Sequence, residues 1–373
     1  MKFLISHEYP FHRLGYGGGH SIVRGLAREL TRLGHEVHVC STGRDELGVA
    51  AADAPVRYHL SGHYNKYTSG LETLGQILVL TPKLRPDWVC CLTSEAFGGF
   101  WFCKQAGVKT AFYACAPLLH HFFIGHWPAL RIIRNNLGLF LSFLGARSSK
   151  RFLTISDYAN RQSRANWHIE ESRIFTVGAG IKEEFMAAGA QKGTLLRNGL
   201  RLISVGRLAM SQKPLDLVAE ALAGLQTPWL RWTIVGSGVD EQELRERVIE
   251  LGIEDKTVFI GMQDSAQVAA LLDEHDIALL PSNYESFFLT VYEAAARGKI
   301  VVTNDVADIR DYFADSASVV VAERATPESY RQAIGYAIEN FDRLQSNAGG
   351  TAERVKRDYN WSTVAERFLQ ALT

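Results

Sequence analysis

Short apolar runs alternate with helix-like stretches along this chain, and the alternation occurs twice. The first block begins at Phe3-Leu4-Ile5 and continues through a glycine-containing loop, helical spacing from His20 to Leu33 and a second run at residues 37–40. The second block restarts at residues 201–205 after a polar stretch. Strands that alternate with helices are typical of parallel sheets covered by helices on both faces. The pattern predicts an α/β protein with two doubly wound, Rossmann-like domains that face each other across a cleft.

The length of the chain also favours two domains, because 373 residues exceed what one hydrophobic core usually organises. Residues 182–200 are polar, rich in Lys, Gly and Ala, and show no periodicity, so they are the expected linker. We therefore predict an N-terminal domain at residues 1–182 and a C-terminal domain at residues 183–355.

Composition excludes several classes of protein. Forty basic residues balance forty acidic ones, so no net charge points to nucleic acid as a partner. The five cysteines all lie in the first third, show no zinc-ligand spacing and are odd in number, which indicates reduced core thiols of a cytoplasmic protein. Residues 1–5 lead straight into a strand, so no signal peptide is expected, and no apolar run reaches the length of a membrane span.

Two glutamates stand out near the end of the second block. Glu285 and Glu293 lie eight residues apart, directly after the apolar run at 277–280, which reads as a buried strand. Glu285 is expected in the loop at the carboxyl end of that strand and Glu293 in the next helix, where eight residues would place both carboxylates on one face. Ligands bind at this edge of an open α/β sheet, and carboxylates accept several hydrogen bonds from hydroxyl groups. By itself, the pair is equally typical of solvent-exposed glutamates at the start of a helix.

Two cations follow the predicted strand at 201–205. Arg207 comes directly after Gly206, and Lys213 comes six residues later, before the next helix. An arginine and a lysine directed at one point suit a diphosphate, whose charge grows when a sugar–phosphate bond breaks. An isolated pair of surface cations would show the same spacing.

A glycine-rich loop precedes the first predicted helix. Gly17, Gly18 and Gly19 directly precede His20, and bare amides at a helix start can bind a phosphate. The stretch from residue 15 to residue 20 lacks the last glycine of the dinucleotide fingerprint, and no acidic residue closes the second strand. A nicotinamide enzyme is therefore disfavoured.

Three of these motifs together resemble the retaining glycosyltransferases of family 4, which have the GT-B fold. They are E-S-F-F-L-T-V-Y-E-A-A-A-R-G at 285–298, G-R-L-x4-K at 206–213 and the glycine loop, in family order over nearly the full chain. The resemblance implies that Glu285 faces the donor sugar and Glu293 holds the ribose. It also implies that residues 356–373 contain a helix that crosses back to the first domain. Further residues have implied roles: Arg207 and Lys213 carry the diphosphate and, with Glu285, are catalytic, while the donor also contacts Gly17, Gly18, Gly19, Gly206, Gly236, Ser286, Phe287, Phe288 and Leu289.

The chain departs from the family pattern at three places. Phe288 stands where the family usually has Gly or Pro, and residues 306–309 replace a Gly-Gly pair. Cys115 occupies the histidine position of a Tyr-x-His-x-Pro pattern, which makes His120 and His121 the candidates for the acceptor side.

The resemblance implies a metal-independent hexosyltransferase that needs no cofactor, and no Asp-x-Asp metal motif is present. Such an enzyme transfers a sugar from a nucleoside-diphosphate sugar to an acceptor hydroxyl, with same-face attack and proton transfer to the leaving phosphate. The expected acceptor is a glycan, a lipid-linked sugar or a small molecule, in bacterial polysaccharide, glycolipid or natural-product glycoside synthesis. Two alternatives stay open: a non-catalytic nucleotide-sugar-binding protein, and a sugar-nucleotide epimerase or Rossmann-type oxidoreductase.

Residues 127–152 form an apolar and basic segment. The favoured interpretation is an internal helix of the first domain, and the alternative is a segment lying on a membrane with its arginines toward the headgroups. The expected location is therefore cytoplasmic, with peripheral contact at the inner face of the membrane as the alternative.

Overall fold

The computed structural model describes residues 1–7, 18–45, 48–65, 68–92, 95–114, 140–187, 200–226 and 229–373. The chain divides into two compact units. One consists of Met1–Gly180 together with Trp361–Thr373, and the other of Ile181–Asn360. The unit boundaries fall after residues 180 and 360, where the sequence predicted boundaries after residues 182 and 355.

The first unit contains, within the described residues, one seven-stranded sheet. Its strands are β1 Lys2–His7, β2 Glu36–Ser41, β3 Arg57–Leu60, β4 Trp88–Cys91, β5 Lys109–Ala114, β6 Arg151–Thr154 and β7 Ile174–Thr176. They are arranged in the order β3-β2-β1-β4-β5-β6-β7, and every neighbouring pair is parallel. The predicted doubly wound parallel sheet is confirmed for this unit.

Helices cover the first sheet between its strands. They are α1 Gly18–Arg32, α2 Val49–Ala52, α3 Ser69–Leu84, α4 Ala96–Gln105 and α5 Asp157–Trp167, and residues 140–148 are also helical. Helix α5 begins where Ser156 accepts a hydrogen bond from the amide of Ala159 at 3.0 Å, as a serine at that position should. Residues 44–70 are polar and mixed in the sequence, which predicts a loop, but α2, β3 and the start of α3 lie there. Strand β3 is short, mixed in polarity and only half-buried, so it lacks the apolar run of a central strand.

The second unit contains a six-stranded parallel sheet in the part of the chain that is described. Its strands are β8 Leu200–Val205, β9 Trp229–Val235, β10 Thr257–Gly261, β11 Ile277–Leu280, β12 Ile300–Asn304 and β13 Val319–Ala322, in the order β10-β9-β8-β11-β12-β13. All neighbours are parallel. Strand β11 is buried at every residue, which confirms the prediction made from its apolar run.

The remaining helices complete both units. They are α6 Glu183–Met186, α7 Leu215–Ala223, α8 Glu241–Glu250, α9 Ser265–Glu274, α10 Leu289–Ala296, α11 Ile309–Tyr312, α12 Pro327–Glu339, α13 Phe341–Tyr359 and α14 Trp361–Leu372. Among the described helices, none has both the length and the apolar composition that crossing a bilayer requires.

The last helix, α14, belongs to the first unit. The side chain of Trp361 lies against Gly25 of α1 and against Gly180, where any Cβ would come within 2.1 Å and 2.3 Å of the indole ring. Arg151 of β6 donates a hydrogen bond from Nε to the carbonyl oxygen of Ala371 at 2.9 Å. Residues 361–373 therefore pack as part of the unit that the first 180 residues form.

Candidate functional site

The candidate site lies at one edge of the second sheet. Strands β8 and β11 are parallel neighbours, so the loops that follow them, 206–214 and 281–288, leave the sheet on the same side. Asn283 joins the two loops: its amide donates to the carbonyl oxygen of Gln212 at 2.8 Å, and its Nδ2 donates to that of Ser211 at 3.0 Å. Arg207, Lys213 and Glu285 therefore lie in one connected loop pair.

Lys213 and Glu285 form an ion pair inside this loop pair. The ammonium of Lys213 is 2.5 Å from Oε1 of Glu285, and both side chains are largely buried, with 13% and 16% of their surface exposed. The same ammonium lies 3.5 Å from the ring centroid of Phe288. Burial lowers the pKa of Lys213, and the positive charge of Arg207 lowers it further, while Glu285 opposes both. The ammonium is thus held between a carboxylate and an aromatic face.

Arg207 is the exposed cation of the site. No acidic side chain in the described ranges forms a salt bridge with it, although its charge acts on Lys213. Burial, followed by the charge of Glu285, raises the pKa of Tyr284, and the charge of Arg207 opposes that rise. Arg207 and Lys213 therefore lie close enough for their charges to interact.

A buried hydrogen-bond network, which the sequence did not reveal, holds Glu285 in place. Ser282 donates from Oγ to Oε1 of Glu285 at 3.1 Å, and its amide donates to Oδ1 of Asn304 at 2.9 Å. Asn304, the last residue of β12, donates back from Nδ2 to the carbonyl oxygen of Ser282 at 2.6 Å. Tyr330 of α12 donates its hydroxyl proton to Oδ1 of Asn304 at 2.8 Å. Ser282, Asn304 and Tyr330 are far apart in the sequence and form no short motif, so only the fold brings them together.

Glycines allow the loops after β8 and β9 to pack backbone against backbone. Gly236 has φ +132°, and a Cβ on it would lie 1.9 Å from the carbonyl oxygen of Gly206. A Cβ on Gly238 would lie 2.0 Å from the carbonyl oxygen of Leu208. The predicted roles of Gly206 and Gly236 therefore include a structural one, because they set the path of the loop that carries Arg207.

Glu293 lies within α10 and is 8% exposed. Its carboxylate makes no hydrogen bond to any described residue. Burial raises its pKa to about 7, with the charge of Lys182 opposing and that of Glu184 adding to the rise. Of the two glutamates, only Glu293 lies in a helix, because α10 begins at Leu289. Glu285 lies in the loop before α10 and forms the ion pair with Lys213. The two carboxylates therefore do not share one helix face.

The other residues of the E-x7-E motif have different surroundings. Phe287 stacks on Tyr292 with ring centroids 4.3 Å apart and lies 5.1 Å from the ring of Tyr359, so it is part of a buried aromatic cluster. Ser286 is buried, and Leu289 begins α10 with its amide 2.9 Å from the carbonyl oxygen of Phe287. The structure thus gives Phe287 a packing role in addition to the donor contact that the resemblance implies.

The first unit holds the remaining predicted residues. Gly18 and Gly19 begin α1, and the strand β1 that precedes them ends at His7. Gly17, Cys115, His120 and His121 lie outside the described residues. Within the described ranges, no group of three or more His, Cys, Asp or Glu side chains is arranged to hold a metal ion.

Sequence comparisons identify both halves of the chain. The family profile described as "Glycosyltransferase Family 4" matches residues 16–185, and the one described as "Glycosyl transferases group 1" matches residues 191–354. A curated relative, glycogen synthase of Mycobacterium tuberculosis, is 24% identical over 400 residues, which span 98% of this chain and 93% of that protein.

Solved structures show the same fold. Sucrose-phosphate synthase from Thermosynechococcus elongatus superposes with a TM-score of 0.80 at 17% identity, covering 100% of this chain and 98% of that one. Anabaena Alr3699/HepE, whose structure was solved in complex with UDP, superposes with a TM-score of 0.78 at 15% identity over 100% and 98% of the two chains. The two profiles together match nearly the whole chain, each on one of its two Rossmann-like units. The protein therefore belongs to the glycosyltransferases of family 4 and has the GT-B fold.

Proposed function

We propose that this glycosyltransferase transfers a sugar from a nucleoside-diphosphate sugar to an acceptor hydroxyl, with retention of configuration at the anomeric carbon. The observation that carries the proposal is the placement of Arg207 and Lys213 after β8, beside Glu285 in the loop after β11. Two cations and a carboxylate at the carboxyl edge of a parallel sheet suit a ligand that is both anionic and rich in hydroxyl groups.

The diphosphate is assigned to the two cations. The guanidinium of Arg207 is exposed and suits bidentate binding of phosphate oxygens, whereas Lys213 supplies a point charge from a largely buried position. Without ligand, Glu285 neutralises Lys213 at 2.5 Å. A bound diphosphate would compete for the ammonium and leave the carboxylate of Glu285 able to accept hydrogen bonds from sugar hydroxyls.

The ribose is assigned to Glu293. A buried carboxylate without a hydrogen-bond partner among the described residues is costly, and hydroxyl donors from a ligand would remove that cost. The structure of the similar protein HepE with UDP supports a nucleoside diphosphate as the ligand class.

The chemical step requires little from side chains beyond charge and position. The bond between the anomeric carbon and the phosphate oxygen breaks, the acceptor oxygen attacks from the same face, and its proton passes to the departing phosphate oxygen. Arg207 and Lys213 stabilise the negative charge that develops on that phosphate, so they bind the transition state more strongly than the substrate. We propose that the reaction needs neither a cofactor nor a metal ion, since the two cations supply the electrophilic stabilisation.

The binding assignment is tested by thermal shift and calorimetry on the full chain. The ligands are uridine, guanosine and adenosine diphosphates, their sugars, and NAD. A ligand at ~100 times its dissociation constant should raise the free energy of unfolding by about 2.7 kcal/mol. We expect one nucleoside diphosphate to stabilise the wild type, and Arg207→Ala, Lys213→Ala and Glu293→Ala to weaken its binding.

Arg231→Ala is the matched control, because Arg231 is an exposed arginine of the same unit nearer the opposite end of a strand, on β9. It should bind the nucleotide as the wild type does. Stabilisation by NAD alone, or equal nucleotide binding by all variants, would refute the donor site.

Retention and metal independence are tested together through slow hydrolysis of the donor sugar that binds. Proton NMR taken before mutarotation should show the released sugar with the anomeric configuration of the donor, at the same rate in EDTA and in Mg²⁺. Release of the opposite anomer would contradict retention, and loss of turnover in EDTA would contradict metal independence. Nucleotide-sugar binding without hydrolysis or transfer to any acceptor would favour a non-catalytic binding protein.

A further inference from the structure

Glu285 is connected to helix α12 by a series of hydrogen bonds that ends at Tyr330. The Tyr330 hydroxyl donates to Oδ1 of Asn304 at 2.8 Å, and Asn304 donates from Nδ2 to the carbonyl oxygen of Ser282 at 2.6 Å. Ser282 in turn donates from Oγ to Oε1 of Glu285 at 3.1 Å. Tyr330, Asn304 and Ser282 are 1%, 6% and 0% exposed, so their polar groups depend on protein partners. A side chain of α12 therefore contributes to the position of the Glu285 carboxylate.

Tyr330 helps to fix the orientation of the Asn304 amide. Oδ1 of Asn304 accepts from the amide of Ser282 at 2.9 Å as well as from Tyr330, so two donors face the same oxygen. With the amide turned over, its NH2 group would face those two donors, and its oxygen would face the carbonyl of Ser282. Burial, to which the charge of Asp216 adds, raises the pKa of Tyr330, so the hydroxyl keeps the proton that it donates. The amide is therefore held with both of its ends bonded to Ser282.

The hydroxyl of Ser282 has one proton and three acceptors close to it. Its Oγ lies 3.1 Å from Oε1 of Glu285, 3.3 Å from the carbonyl oxygen of Gln212 and 3.2 Å from that of Tyr284. The two bonds between Asn304 and the backbone of Ser282 set the position of this hydroxyl. They therefore decide how well it can serve Glu285 among the three acceptors.

Ser282 is also the donor that stays with Glu285 during the proposed reaction. Within the described residues, Glu285 accepts hydrogen bonds from Ser282 and from Lys213. The proposed function assigns Lys213 to the diphosphate, whose negative charge grows as the sugar–phosphate bond breaks. Once the ammonium turns to that phosphate, the hydroxyl of Ser282 holds the carboxylate. Its position matters, because misplacing a group at a reacting centre by about 1 Å can cost about a hundredfold in rate.

We propose that Tyr330 and Asn304 are positioning residues for sugar transfer, which act through Ser282 to hold the Glu285 carboxylate at the donor sugar. The proposal rests on the function proposed above, since it needs Glu285 to face that sugar. Neither residue is assigned to the diphosphate, which belongs to the two cations after β8. Changes at Tyr330 and Asn304 should therefore slow turnover and leave the binding of a nucleoside diphosphate unchanged.

Turnover and binding are measured separately on the full chain. The substrate is whichever of UDP-glucose, UDP-N-acetylglucosamine, GDP-mannose and ADP-glucose the wild type hydrolyses fastest, and calorimetry gives the dissociation constant of the matching nucleoside diphosphate. We expect Tyr330→Phe to lower kcat about fivefold or more, and Asn304→Leu about a hundredfold. Both variants should bind the nucleoside diphosphate within about twofold of the wild type, because the diphosphate carries no sugar for Glu285 to face.

Tyr312→Phe is the matched control, because Tyr312 also lies in the second unit and donates its hydroxyl proton, to Asp358 at 3.0 Å. It should keep the kcat of the wild type. Since Tyr330 acts through Ser282, the double variant Tyr330→Phe/Ser282→Ala should be no slower than Ser282→Ala alone. The thermal unfolding midpoint of each variant reports its folding.

The outcomes separate this inference from the function on which it rests. If the wild type hydrolyses a nucleotide sugar and Tyr330→Phe keeps its kcat, or slows no more than Tyr312→Phe, the positioning role is wrong and the donor site stands. The role is also wrong if the effects of Tyr330→Phe and Ser282→Ala on kcat multiply, or if Tyr330→Phe weakens diphosphate binding as much as it lowers kcat. If the wild type hydrolyses none of the four nucleotide sugars, the proposed function fails and this inference fails with it.

Discussion

At the scale of single residues, Glu293 and Lys213 show how burial changes ordinary ionisable groups. Glu293 lies on a helix of small residues that packs into the core, so burial raises the pKa of its carboxyl group, and no described residue donates a hydrogen bond to it. Lys213 has lost water as well, but it has gained Glu285 and the ring of Phe288. The pKa shift of Glu293 therefore comes from burial, whereas Lys213 keeps an acidic partner and an aromatic contact.

The pKa of Glu293 predicts how its carboxyl group affects stability. The pKa is raised from 4.5 to about 7, so between these values the native state holds a proton that the unfolded chain has released. Stability from this group is fully present below about pH 4.5 and is lost as the pH rises through 7. As the pH rises from 5 to 8, we expect the free energy of unfolding of Glu293→Gln to increase relative to that of the wild type, by at most about 3 kcal/mol.

Urea unfolding of the wild type and Glu293→Gln at both pH values measures this difference. Glu183→Gln is the control, because Glu183 is exposed on α6 and is not among the groups that shift the pKa of Glu293. If the free energies of unfolding of the wild type and Glu293→Gln differ by the same amount at pH 5 and at pH 8, folding does not shift the pKa of the Glu293 carboxyl group.

Phe288, the departure from the family pattern, is predicted to stabilise the site through Lys213. A double-mutant cycle with Phe288→Leu and Lys213→Met should give a coupling energy of about 1–2 kcal/mol, because the ammonium is largely desolvated against the ring. The pair Arg245 and Phe259, 4.1 Å apart with a more exposed guanidinium, should couple by about 0.5 kcal/mol. Denaturant unfolding measures both cycles, and additive effects of Phe288→Leu and Lys213→Met would show that the ring contributes volume alone.

At the scale of elements, each loop at the candidate site is held by the strand beside it. Asn304 at the end of β12 bonds both sides of Ser282 after β11, and Gly236 after β9 packs on Gly206 after β8. Since the strands are parallel and adjacent, their carboxyl ends supply four loops that support one another. Hydrogen bonds and backbone packing therefore hold the loops that carry Lys213 and Glu285.

The loop after β12 contains a strained residue. Ala307 has φ +53°, in the left-handed region that favours glycine, and it lies in the segment where the family has a Gly-Gly pair. We expect Ala307→Gly to stabilise the protein by about 0.5–1 kcal/mol, because relief of the Cβ clash exceeds the entropy cost of glycine. Thermal or urea unfolding measures the change, with Ala278→Gly in the buried strand β11 as a control that should destabilise. An equal loss of stability in both variants would mean that Ala307 is not strained.

At the scale of the whole molecule, the two ends of the chain depend on each other. The indole of Trp361 occupies the space that side chains on Gly25 and Gly180 would need, so both positions require glycine. Residues 361–373 consequently belong to the unit that the first 180 residues form. Removing or displacing the last helix is expected to expose α1 rather than to alter the second unit.

Gly180→Ala tests this dependence. The new Cβ overlaps the indole, so we expect a loss of about 1–3 kcal/mol and faster hydrogen exchange in α1 and α14. Gly75→Ala on α3 is the matched control, because a Cβ there has no atom within 4 Å and alanine favours the helix. Nucleotide-induced stabilisation of the second unit should persist in both variants. Unchanged exchange in α14 of Gly180→Ala would show that Trp361 moves aside without cost.

The sequence alone determined the α/β architecture of two parallel sheets, and it predicted a set of donor-site residues. The buried strand at 277–280 and the cations after 201–205 could be predicted because apolar runs, caps and glycines are local signals that depend on neighbours in the chain. The resemblance added the roles of Glu285 and Glu293 from motif spacing. The edge strand β3 was missed, since a half-buried strand at the side of a sheet needs no apolar run.

The tertiary structure alone decided which partners these residues have. The contact of Lys213 with both Glu285 and Phe288 and the bonds between Asn304 and Ser282 join residues that are far apart along the chain. The burial that raises the pKa of Glu293 likewise depends on the elements packed around α10. The exposure of Leu71 on α3 and of Trp101 on α4 likewise depends on which sides of these helices the sheet leaves uncovered. Partner choice and solvent exposure follow from packing, and packing is a property of the folded chain that local patterns do not contain.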